Sequence, residues 1–267
     1  MKRYVQTRAH ARSLDYNWLG ERPGRRWWDR FEPYTFFEHR TLIVEADGQG
    51  WRLYASAIPS VRRDAVRTQI FHAVMLEGGA PEESDSEEAL RVLGAALLHP
   101  DQFGSALDDQ LDEDFVARCL SESGNYADEV TDRLTRAFAS LPSQGIDPEP
   151  MGKGEVAWGG AKSADGPMGL ARRAAALIAD GNRGVAALLN LVSPSSVPEE
   201  LAPDGSAALL VEGSTNSWRS LPKLPIAPPN GKPDNRRLLI KLALILLGLA
   251  AAGTVAYLIY RKLQAQH

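Results

Sequence analysis

The chain has 267 residues, 44% hydrophobic and 24% charged, an ordinary globular composition that excludes disorder as a description of the whole. A single cysteine, Cys119, excludes an intramolecular disulfide. The net charge of −4 averages three unlike pieces: a basic, tryptophan-rich opening, a very acidic middle and an apolar end without an acid.

Residues 1–30 hold eight Lys or Arg against three acids, a balance of +5, interleaved with Trp18, Trp27 and Trp28. They contain no long apolar run and no small-residue cleavage site, so they do not read as a secretory signal. A strand is predicted near residues 3–11 and a short helical turn over 25–31. Basic and aromatic residues together can bind nucleic acid through phosphate contacts and stacked bases. The acidic remainder of the chain offers them an internal counterpart instead, and nucleic acid is the less favoured partner.

Residues 40–46 (RTLIVEA) and 51–57 (WRLYASA) are β-branched and aromatic runs joined by Asp47-Gly48-Gln49-Gly50, a hairpin turn. Pro59-Ser60 reads as a further turn, and residues 68–77 (TQIFHAVMLE) as a third strand of an antiparallel nucleus. Between them lie Arg62, Arg63, Asp64 and Arg67, with His72 in the strand that follows, the most site-like group in the chain. Arginine forks beside a carboxylate can bind an acidic peptide or a nucleotide phosphate, or staple a sheet to acidic helices; the structural role is preferred. The run YASAIPSVRRDAVRTQIFHAVMLEGG, with the hairpin before it and the RYVQTRAH strand, resembles accessory domains found beside GTPases and other NTPases in bacterial conflict systems. The resemblance covers residues 3–80 and rests on an Arg-Asp turn followed by a strand ending in Glu-Gly. It implies a non-enzymatic partner or sensor module of a multi-gene defence system, with an NTPase as its protein partner and the membrane anchor described below as the membrane-directed component.

Residues 77–132 hold sixteen acids against Arg91 and Arg118, a balance of −14. Ser84-Asp85-Ser86 with Glu87 and Glu88 predicts a capped, acid-rich helix start, and Ala89, Val92, Leu93, Ala96 and Leu97 form its apolar stripe before Pro100. Further helices are predicted over 111–121 and 127–141. Residues 142–167, rich in Gly and Pro, read as a loop and a possible sub-boundary. A helix over 168–179 and buried strands over 184–192 and 206–212 complete an α+β fold, with an antiparallel sheet near the N-terminus and acidic helices.

Chemistry is sparsely signalled. Histidines 10, 39, 72 and 99 lack zinc-site spacing, and Cys119 reads as a small core residue. The cluster Asp108, Asp109, Asp112, Glu113 and Asp114 lacks the glycine and spacing of a calcium loop and reads as a solvated helix start. The glycine-rich residues 152–163 fail as a phosphate loop, because Ala161 and Val156 stand where its two glycines belong. No cofactor and no metal is implied.

Five prolines at 222, 225, 228, 229 and 233 make residues 213–237 an extended tether. Residues 238–260 then form a 23-residue run with one charge, Lys241, long enough as a helix to cross the roughly 30 Å hydrocarbon core of a bilayer. Arg236 and Arg237 precede it, and Arg261 and Lys262 open a short tail, 261–267. Gly248, Ala252 and Ala256 recur every four residues and suit close helix packing in lipid.

The expectation is a single-pass, tail-anchored protein of the cell membrane. Residues 1–212 form its cytoplasmic domain, which binds or regulates a protein partner without catalysis. Two alternatives stand beside it: an effector that oligomerises through Gly248, Ala252 and Ala256 to disturb the bilayer, and an enzyme on an unfamiliar scaffold that gathers Arg62, Arg63, Asp64 and His72 in a pocket.

Overall fold

Apolar residues on both sides of most strands demand a covering layer on each face of the sheet. In the computed structural model, which describes residues 1–35, 39–79, 83–190, 201 and 206–221, nine strands form one mixed sheet. They are β1 (Lys2–Thr7), β2 (Asn17–Trp18), β3 (Thr41–Ala46), β4 (Trp51–Arg63), β5 (Gln69–Gly78), β6 (Val156–Gly160), β7 (Gly184–Leu189), β8 (Ala207–Val211) and β9 (Arg219–Leu221). Their order is β2-β1-β5-β4-β3-β7-β8-β6-β9. Strands β3, β4 and β5 pair antiparallel, as the hairpin signals predict, β1 and the unpredicted β2 extend that antiparallel part, and β7, β8 and β6 run parallel. The fold is therefore α+β, with a sheet larger and more mixed than an N-terminal antiparallel nucleus.

One face carries helices α2 (Glu83–Leu98), α3 (Pro100–Asp108), α4 (Glu113–Ser121), α5 (Ala127–Ala139) and α6 (Gly166–Asp180). Leu93, Phe103, Leu107, Phe138, Leu170 and Ile178 share a core there with Val44, Leu53, Val74 and Leu76 of the sheet. The other face is aromatic. Trp27 and Phe31 of α1 (Arg25–Phe31) are buried with Tyr4 and Tyr54, and Trp18 and Trp28 are half-buried beside them. The Trp27 and Phe31 rings lie 4.6 Å apart, and Trp18 meets Trp28 edge-on at 5.6 Å. The tryptophans of the basic opening thus pack on this face.

The basic opening and the acidic middle meet inside the molecule. Arg3 donates to both oxygens of Glu88, at 2.6 and 3.0 Å, and the N-terminal ammonium lies 2.9 Å from Asp85. On the aromatic face Lys2, Glu77, Arg52 and Glu45 stand directly opposite one another across β1, β5, β4 and β3. Arg30 of α1 extends this alternating ladder by pairing with Glu45.

Several elements differ from the sequence expectation. Pro100, read as a stop, occupies the first turn of α3, where its missing N–H is not needed. Residues 142–167 contain β6, and residues 213–221, grouped with the tether by composition, include β9. Pro59-Ser60 is not a turn but lies within the 13-residue β4, at register shifts that accommodate a residue without a donor. Among the described residues no helix is long and apolar enough to cross a membrane. Residues 222–267, with the expected span and its Gly248, Ala252 and Ala256 stripe, lie outside them.

Helix α3 lies hard against this irregular part of β4, since a Cβ on Gly104 would come within 1.8 Å of the Pro59 carbonyl oxygen. A backbone atom held in a sheet cannot yield as a side chain would. Gly104→Ala is expected to cost about 2–3 kcal/mol in urea unfolding. Gly213→Ala, with nothing within 4 Å of the added carbon, is expected to change stability by less than about 0.5 kcal/mol.

Candidate functional site

Alternation along β4 puts Ser60 and Arg62 on one side of the β4–β5 ribbon, and His72 of β5 joins them. Beneath them α3 ends at Asp108, whose side chain is only 7% exposed. Its Oδ1 accepts from the Ser60 hydroxyl at 2.7 Å, His72 Nε2 at 3.0 Å and Arg62 Nε at 3.1 Å. Its Oδ2 accepts from the Val61 amide at 2.6 Å. Arg62 also reaches Glu113 at 3.1 Å and the Thr7 hydroxyl at 3.3 Å.

Burial pushes the Asp108 carboxyl up, but the hydrogen bonds from His72, Ser60 and the Val61 amide outweigh it and hold the group at about 2. Burial holds His72 below the ordinary imidazole value against the opposing pull of Asp108, so the ring is neutral at pH 7 and donates Nε2–H. Nucleophilic activation would need Ser60 to give its proton to His72. Here both donate to the same carboxylate oxygen, and His72 Nδ1 is buried without a partner. The arrangement staples α3 to the ribbon.

The remaining members of the predicted group form the tip of the ribbon. Asp64 is buried and accepts from the Val66 amide at 3.0 Å, the Thr68 amide at 2.7 Å and Arg8 at 2.6 Å. This closes a tight turn with Arg67 at φ 68°, a left-handed conformation that glycine adopts more cheaply. Arg63 donates to the Arg67 carbonyl at 3.0 Å, and both side chains are exposed. Val61 and Val66 flank them at 72% and 57% exposure. The structure therefore brings Arg62 and His72 together below the ribbon, ties Asp64 to Arg8, and turns Arg63 and Arg67 to solvent.

Sequence reasoning missed Asp108 and Glu113 as partners of Arg62, having assigned both to a solvated helix start. That description fits Asp112, which caps α4 by accepting from the Phe115 amide at 2.9 Å. Among the described residues no group of three or more His, Cys, Asp or Glu is placed to hold a metal ion. Burial pushes the Cys119 thiol up to about 11, the reverse of what a nucleophile needs.

The glycine-rich stretch serves the chain itself. The amides of Gly160, Ala161 and Lys162 donate to the carbonyls of Asn216, Val211 and Ser214 at 2.7, 3.0 and 3.0 Å, so they are not available to cradle a phosphate. A Cβ on Gly159 or Gly169 would come within 2.9 or 2.2 Å of the Trp218 ring. Trp218 donates to the Asp165 carbonyl at 3.3 Å and lies under Arg173, which Glu149 holds at 2.7 Å. The glycines thus form a bed for the segment leading into β9. Two cavities, of about 270 and 410 Å³, lie at Arg30, Glu45 and Arg183 and beside Trp218, and neither is lined by the predicted site residues.

Comparison with protein-family models, curated proteins and solved structures finds no match.

The staple makes stability depend on pH in a defined sense. Folded His72 binds a proton less readily than the unfolded chain, so stability falls as the pH drops through the ordinary imidazole value of about 6.5. Asp108, depressed, contributes stability that is complete above about 3.9 and is lost as the pH falls toward about 2. Thermal unfolding between pH 7 and 5 should show a decline that His72→Asn flattens; a slope unchanged by that substitution would contradict the assignment.

Proposed function

We propose that the protein is a single-pass, tail-anchored membrane protein whose α+β domain docks on a protein partner at the cytoplasmic face of the cell membrane. It acts there as a non-catalytic regulatory module of a bacterial defence system. The observation that carries the docking role is the β4–β5 tip. It carries Val61 and Val66, the exposed large hydrophobic side chains among the described residues, together with the exposed Arg63 and Arg67. Asp64 and Asp108 fix its backbone from below. A rigid apolar and cationic projection fits a protein surface bearing carboxylates, and its rigidity lowers the entropy lost on binding.

The membrane role rests on the 23-residue apolar run at 238–260 and the proline-rich stretch before it. Residues 1–234 carry 25 basic and 34 acidic side chains, a balance of −9, which repels the domain from an anionic bilayer and leaves it free for a partner. The enzyme alternative gains no support from His72, which is fully buried and already bonded to Asp108. The Gly248, Ala252 and Ala256 stripe favours one competing reading, an effector that assembles within the bilayer.

Fractionation and mild-detergent purification separate the two. The full chain is expected in the membrane fraction with a protein partner, deletion of 238–267 should release it to the soluble fraction, and Arg63→Glu/Arg67→Glu should stay membrane-bound but lose the partner. Toxicity that requires the span, is relieved by Gly248→Leu and ignores the tip would support the effector instead.

A further inference from the structure

We infer that the partner surface fitted by the β4–β5 tip is the acidic outer face of α5 on a second copy of this chain. The inference rests on the reading of the tip as a docking surface and adds its occupant. Arg63 and Arg67 are exposed and have no ion pair among the described residues, and Asp64, which lies between them in the sequence, is taken by Arg8. The tip therefore presents two guanidinium groups without an ion pair and two exposed valines.

The complementary patch lies on α5. Asp128 and Asp132 stand one turn apart on one side of the helix, both exposed and without an ion pair among the described residues. Glu129, on the adjoining stripe, is by contrast neutralised by Arg133 at 3.1 Å and Arg118 at 3.4 Å. Like charges at i and i+4 weaken a helix, and an external cation between them removes that penalty.

One molecule cannot close this contact on itself. Ser60 and Arg62 reach Asp108 in the helical layer, so strand alternation turns Val61 and Arg63 to the opposite side of the ribbon, away from α5. The contact is therefore between copies and heterologous, tip to helix. Confinement of anchored copies to one membrane plane raises their effective concentration and favours it. The left-handed Arg67 fits this role, because a glycine would make the turn with less strain but leave no guanidinium to present.

The test is sedimentation of the full-length protein in detergent micelles, comparing wild type, Arg63→Glu/Arg67→Glu and Asp128→Arg/Asp132→Arg. All four positions are exposed, and unfolding midpoints matching wild type confirm that the variants fold. Wild type should self-associate at about 50 mM salt and dissociate toward monomer at about 500 mM. Each variant alone should associate at least about tenfold more weakly, and an equal mixture should recover because the reversed patches complement each other. Arg67→Gly should raise the unfolding midpoint while weakening association, opposite effects that a purely structural arginine would not produce.

Failure of the mixture to recover would overturn the inference. So would salt-insensitive association that ignores both variants and is lost in Gly248→Leu. A monomeric chain that co-purifies with a different protein, and loses it in Arg63→Glu/Arg67→Glu, would replace the second copy with a foreign occupant and leave the docking role standing. A monomer with no tip-dependent partner would overturn both.

Discussion

A carboxylate taken out of water is costly unless donors surround it, and Asp108 receives four: a hydroxyl, an imidazole N–H, a guanidinium and a backbone amide. These donors come from adjacent residues of β4 and from β5, whereas the acceptor closes α3. The interaction therefore fixes where a helix ends relative to a ribbon, and the bare backbone of Gly104 lets the two approach closely enough for it to form. Removing Asp108 would leave the buried His72 with neither ring nitrogen bonded, although Arg62 would keep Glu113 and Thr7. The tip beyond it keeps a defined shape although its own side chains are exposed.

The charge blocks that stand apart in the sequence are largely neutralised by folding. Arg3 and the N-terminal ammonium meet the acidic start of α2, Arg8 holds the tip turn, and the ladder from Lys2 to Glu45 alternates sign across four strands. What stays unneutralised is then informative. Among the exposed side chains without an ion pair in the described residues are Arg63 and Arg67 at the tip and Asp128 and Asp132 on α5. Surface charge left over in this way gives specificity and encounter rate more readily than stability.

Much of the fold was legible where periodicity is strong. The hairpin β3–β4, the strand β5 and helices α2, α5 and α6 follow from alternating or stripe-forming residues and lie close to their predicted bounds, except that β4 runs on to Arg63 instead of ending at Ala57. Helix α3 was not legible, because Pro100 signals a stop as readily as a first turn. Strand β6 carries two glycines, poor strand residues whose placement makes sense only once Trp218, far along the chain, lies against the first of them. The site was legible by half. Arg62, Arg63, Asp64, Arg67 and His72 are neighbours in the sequence and drew attention, but Asp108 lies 36 residues from His72, amid acids of the same type, with no local mark of its different role.

The most direct measurement of the central claim, that Asp108 holds the tip in a docking-ready shape, is amide hydrogen exchange across residues 58–72 in the wild-type chain and in Asp108→Asn. The account predicts that the Val61, Val66 and Thr68 amides are protected in wild type, and that Val61 exchanges at least about tenfold faster in the variant while the helices far from it are unchanged. A wild-type tip that already exchanges at the rate of an unfolded chain would contradict it.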